Sequence, residues 1–133
     1  MKNIDLVLKS LDELSKHFRQ VKATSGLNKM GYTHANELVS NGKVIKPNSW
    51  NPPSTQEENA YIEKNGIEKY AMWFLGEDSS TIATTKSNFS YIYTSDFVNV
   101  DRAGLIAIRQ RAGQQKETAI FEAAGKLLVK IDA

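Results

Sequence analysis

Between Arg102 and Lys116 the chain reads RAGLIAIRQRAGQQK, with four cations and no acid. Arg102 and Arg109 are seven positions apart, so a helix sets them on one face and turns Arg111 elsewhere. Guanidinium and ammonium groups at this density can neutralise phosphates, and Gln110, Gln114 and Gln115 can hydrogen-bond to bases or phosphate oxygens. A nucleic-acid surface made of Arg102, Arg109, Arg111 and Lys116 is therefore one reading. The other is a solvated helix face, with long aliphatic stems over the core and charged heads in water. The second is favoured, because charge runs usually mark solvated faces.

The remaining reactive side chains form no known catalytic pattern. The histidines are His17 and His34, and neither stands in a metalloprotease or deaminase motif. His34 could serve as a base, but no serine or acid is placed near it by spacing. Glu77, Asp78, Asp96 and Asp101 gather around the ends of two expected strands, where paired acids could hold a cation or share a proton. The simpler reading makes Asp96 and Asp101 turn and cap residues, with Glu77 and Asp78 solvating a loop. Gly42-Lys43 and Gly125-Lys126 lack the upstream glycine of a phosphate loop, and no G-x-S-x-G elbow occurs. With no cysteine, thiolate chemistry and disulfides are excluded. No catalytic residue, metal ligand or cofactor is expected.

Aromatic residues give a third possibility. Phe89, Tyr91 and Tyr93 alternate in NFSYIY, as stacking residues do on RNA-binding strands. The simpler expectation is that they floor the core beneath the C-terminal helices. A small-molecule pocket between sheet and helices, lined by Trp73, Phe89 and Tyr91, is a distant alternative.

These residues need elements to position them. At 133 residues the chain is expected to be one domain, 1–133, with an N-terminal helix and connector over 1–54 and a helix, hairpin and helical hairpin over 55–133. Ile4, Val7, Leu8, Leu11, Leu14, Phe18 and Val21 recur at threes and fours and predict a long amphipathic helix from Asn3 to about Thr24. THANELVSNG predicts a short helix from His34 to Ser40, and KVIKP a short edge strand. PNSWNPPS holds all three prolines and reads as a connector. Ser54 with Glu57, or Thr55 with Glu58, has capping-box spacing for a helix that ends at Asn65 and Gly66. Tyr70–Leu75 and the run from Phe89 predict two antiparallel strands. Asp101 is expected to cap a helix broken at Gly113, and Thr118 a second one whose buried face is Ile120, Ala123, Ala124, Leu127, Leu128 and Ile131. The fold class is α+β: an antiparallel hairpin or small sheet packed by a long N-terminal helix and a C-terminal helical hairpin.

Charged residues interrupt the N-terminal stretch, and no apolar run is long enough to cross a membrane, so a soluble cytoplasmic protein with no membrane partner is expected. The net charge of +2 does not by itself imply a polyanionic partner.

The plan from Met72 to Asp132, an aromatic strand, a lysine before a second aromatic strand, then R-x-G-L-I-A, R-A-x-Q and I-x-x-A-A-x-x-L, resembles a small module of bacteriophage and other bacterial mobile-element proteins. That resemblance implies no catalytic residues. The expected function is a non-catalytic interaction or accessory protein that self-associates, with Leu8, Leu11 and Phe18 supplying contacts in a homodimer and an unidentified protein as a further partner. Nucleic-acid binding through 102–116 is the alternative.

Overall fold

The computed structural model describes residues 26–78 and 85–133. The expected N-terminal helix lies outside these residues, and so do Leu8, Leu11 and Phe18. The described chain runs β1 (Gly26–Leu27), α1 (Lys29–Ser40), β2 (Val44–Ile45), α2 (Thr55–Asn65), α3 (Ile67–Ala71), β3 (Phe74–Glu77), a 3-10 turn at Lys86–Asn88, β4 (Phe89–Ile92), β5 (Val100–Asp101), α4 (Arg102–Gln114) and α5 (Thr118–Asp132). The fold is α+β. A three-stranded antiparallel sheet has the order β1-β3-β4, and β2 pairs parallel with β5. No helix among the described residues is long and apolar enough to cross a membrane.

The two C-terminal helices form the expected pair against the sheet. Asp101 caps α4, its Oδ1 accepting the Gly104 amide at 3.0 Å. The aliphatic stripe of α5 turns Ile120, Ala123, Ala124 and Leu127 inward, where Ile120, Ala124 and Leu127 meet Leu75, Leu105 and Ile108 in one buried cluster. Leu128 and Ile131 pack at its margin. At the far end of the pair Arg102 makes a two-pronged ion pair with Asp132, at 2.9 Å from Nε and 2.8 Å from Nη2.

Four boundaries differ from expectation. Helix α1 begins at Lys29 rather than His34. Its entry is set by tertiary contacts: Asn28, buried, donates from Nδ2 to the carbonyls of Ala71 at 2.8 Å and Phe74 at 3.1 Å. Gly31 lets the helix lie directly on the Phe74 carbonyl. The expected strand Tyr70–Leu75 is divided: Ile67–Ala71 is a helical turn, and the strand starts at Phe74. A short apolar run carries no period that separates the two. The turn buries the Tyr70 ring while its hydroxyl donates to Glu58 at 2.6 Å. Gly113 does not break α4, which continues to Gln114; the glycine gives room to the Phe121 ring of α5. Glu117, not Thr118, stands at the cap position of α5 and makes no side-chain cap bond there. The capping box of α2 forms as read, with Ser54 and Glu57 bonded reciprocally at 3.1 Å.

Candidate functional site: a cleft beside Tyr91

Strand β4 is the outer strand of its sheet, and its residues do not alternate simply. Tyr91 has φ of 64°, in the left-handed region. Phe97 and Lys116 share that conformation, but they lie in a turn and at a helix end, where it is common. Tyr91 is inside a strand. Its backbone turn swings the ring across β3 at Gly76, where a Cβ would meet Tyr91 Cδ2 at 2.9 Å. The hydroxyl then donates to Gln115 Oε1 at 2.6 Å, at the end of α4.

The expected shared face of Phe89, Tyr91 and Tyr93 is therefore split. Phe89 packs toward Tyr70 and Phe74 on one side. Tyr93 is fully buried and donates to the Met72 carbonyl at 2.7 Å. Tyr91 opens the third direction and forms a wall of a cleft between β4 and α4.

That cleft has a volume of 640 Å³. Phe89, Ser90, Tyr91 and Ile92 line one side, Ala107, Ile108, Arg111 and Gln115 the other, and Trp50 and Pro52 of the connector close it. The Trp50 ring rests against Gly104, where any side chain would collide with it. Glu117, which is buried, also lines the cleft. Burial raises the Tyr91 phenol above its ordinary range and the Glu117 carboxylate raises it further, while Arg111 opposes them. The phenol stays protonated at neutral pH, so it acts as a hydrogen-bond donor and not as a base or nucleophile.

Of the three residues expected to line a pocket, Phe89 and Tyr91 line this one and Trp73 does not. Trp73 is 5% exposed in the core, with its indole N–H donating to the Tyr61 hydroxyl at 3.0 Å. The four cations of the basic segment are dispersed. Arg102 is held by Asp132. Arg109 lies over the Phe121 ring, 4.4 Å from its centroid, on the outer side of the helical pair. Lys116 is in the connecting turn, and Arg111 alone of the four lines the cleft.

Asp96 and Asp101 do structural work. Asp96 accepts from the Val98 and Asn99 amides at 2.9 and 2.8 Å and from the Asn99 side chain at 2.9 Å. Burial alone would raise its carboxyl, but these bonds and one from Thr94 hold it below the usual range. His34 has its Nδ1 3.0 Å from the Tyr93 hydroxyl and lies edge-on to Trp73.

Sequence reasoning missed Trp50, Pro52 and Glu117. The one available signal was a tryptophan set among the prolines of a connector, where a large apolar ring has no local reason to be. Comparison of the chain with known protein families, with characterised proteins and with solved structures finds no match. The functional reading therefore rests on this geometry.

Proposed function

We propose that the protein is a non-catalytic interaction protein and that the cleft beside Tyr91 receives an extended segment of a partner protein, anchored by an apolar side chain with an acid nearby. The observation that carries this reading is the left-handed Tyr91. A non-glycine residue in that conformation costs about 1–3 kcal/mol, and such strain persists where the surrounding structure uses it. Here it re-aims one ring from the sheet face into the cleft, as distortions of strands next to binding sites do. Trp50, Pro52 and Phe89 offer an apolar seat for an anchor side chain. Arg111, on an exposed turn of α4, supplies the charge that would pair with the acid. The protonated Tyr91 phenol suits recognition better than proton transfer.

Selection of random displayed peptides on the full chain tests this. Enriched peptides are expected to share an apolar residue close to Asp or Glu, and to lose most of their affinity for Trp50→Ala and for Arg111→Glu. Peptides that bind both variants as they bind wild type, or a selection without enrichment, would refute the assignment. Self-association through Leu8, Leu11 and Phe18 is a separate proposal, supported by the apolar stripe of the sequence, and is tested by solution mass.

A further inference from the structure

Two of the chain's three methionines and one of its two histidines line a single surface cavity of 240 Å³ where α1 meets the turn after α3. Met30 and His34 are four positions apart on α1, so they stack on one face of the helix, a turn apart. Met72 comes from the other wall, and its carbonyl oxygen is 3.3 Å from His34 Nδ1. Met30 is 67% exposed, an apolar side chain whose thioether the core does not use.

The partners of His34 Nδ1 favour one tautomer of the imidazole. The Tyr93 hydroxyl faces two carbonyl acceptors, Met72 at 2.7 Å and Gly31 at 3.3 Å, and donates its single proton there. The contact of 3.0 Å between the Tyr93 oxygen and His34 Nδ1 therefore needs its proton from the histidine. With Nδ1 protonated, a neutral His34 carries its lone pair on Nε2, which makes no hydrogen bond among the described residues. Trp73 fixes the ring from the side, with centroids 4.7 Å apart at 81°. A ring nitrogen tied to a carbonyl and a hydroxyl while the other stays open is the arrangement that orients metal-ligating histidines.

We propose that Met30, His34 and Met72 form a binding site for a soft monovalent metal ion, Cu(I) or Ag(I). Two thioethers and one imidazole select that class, because soft sulfur donors favour it, whereas Thr33 and Glu37, which line the same cavity with Lys29, offer only hard oxygen donors. Hard cations need oxygen ligands and zinc prefers thiolates, several imidazoles or carboxylates. Among the described residues no three histidines or acids gather to provide such a site. Binding forms only dative bonds from two sulfurs and one nitrogen, and it moves no electrons.

Ag(I), which is diamagnetic, is the direct probe. On titration into the full chain, the methyl signals of Met30 and Met72 and the His34 ring protons are expected to shift together to saturation at one equivalent, with Met1 unmoved. Under anaerobic reducing conditions Cu(I) should be drawn from a chromogenic chelator, and Met30→Leu and Met72→Leu should each weaken that competition by at least about tenfold. Met30→Leu lies on the surface, so an unchanged circular dichroism spectrum separates loss of binding from loss of fold. Leucine variants that compete as well as wild type would overturn the proposal. So would Ag(I) shifts confined to Met1 and His17, or Zn(II) binding this cavity more tightly than Cu(I).

Discussion

Replacing Gly31 by alanine tests the closest approach in the fold. A Cβ there would overlap the Phe74 carbonyl oxygen and stand 3.0 Å from Asn28 Nδ2. The obstacle is backbone, so relief requires α1 to move off β3. Such overpacking costs about 1–3 kcal/mol. Moving the helix also strains the two bonds from Asn28 to the Ala71 and Phe74 carbonyls, each contributing about 1 kcal/mol when buried. Alanine in a helix returns about 1 kcal/mol relative to glycine. The net loss is about 2–4 kcal/mol, a large part of the stability of a chain this size. Urea unfolding followed by circular dichroism measures it. Gly113→Ala is the control, since its Cβ would meet only the Phe121 ring at 3.3 Å, and a change within about 1 kcal/mol of wild type is expected there. A Gly31→Ala protein with a midpoint at or above wild type would show that α1 does not rest on β3 as described.

Leu127 is fully buried, and Leu127→Ala should cost about 2–5 kcal/mol in the same assay; a change well below 1 kcal/mol would remove α5 from the core. The phenols of Tyr70 and Tyr93 are raised above their ordinary range, both first by burial, then by Glu58 for Tyr70 and by Tyr61 for Tyr93. The fold therefore favours their protonated forms, so this stabilisation is complete below the ordinary tyrosine value of about 10 and is lost as pH rises beyond it. Absorbance titration should show these two ionising only with unfolding, and ordinary titration of all five tyrosines in the folded protein would contradict it. Because the four cations are dispersed, neither DNA nor RNA should shift in a gel at low salt; a shift abolished by Arg109→Glu with Arg111→Glu would restore the nucleic-acid reading. Light scattering is expected to give a dimer mass that Leu11→Glu reduces to a monomer, and a monomeric wild type would end that proposal.

The elements legible in the sequence are those whose signals are local. Ser54 and Glu57 announce α2 because both halves of the capping box lie within one turn. Ile120, Ala123, Ala124 and Leu127 announce the buried face of α5 because their spacing is its period. The start of α1 was hidden, since Asn28 spends its amide on α3 and β3 rather than on a cap, and Gly31 suits a helix only because Phe74 lies against it. The cleft was half visible. Phe89 and Tyr91 stood out as aromatics, but an alternating aromatic run looks the same whether or not one residue turns left-handed. Gly76 gives Tyr91 its room from another strand, and Trp50 reaches the cleft from a connector packed on Gly104. None of these contacts leaves a periodic trace.

The β2–β5 pair bears on the order in which the chain folds. Val44 meets Val100 across 56 positions, and Gly26 meets Glu77 across 51. The helical pair α4–α5 instead closes within the 30 positions from Arg102 to Asp132. Ordering a short loop costs less entropy than ordering a long one, so the helical pair is expected to be formed in the folding transition state and the parallel pair to close after it. Leu127→Ala should then slow folding, whereas Val44→Ala should mainly speed unfolding; the reverse pattern in stopped-flow kinetics would invert the order. The helical pair closes more locally than the parallel pair, and its second helix is also the last of the described elements to leave the ribosome. The earlier strands can pair with one another and rest on α1, but the core also needs Ile120, Ala124 and Leu127, so its completion during synthesis is expected to wait for α5.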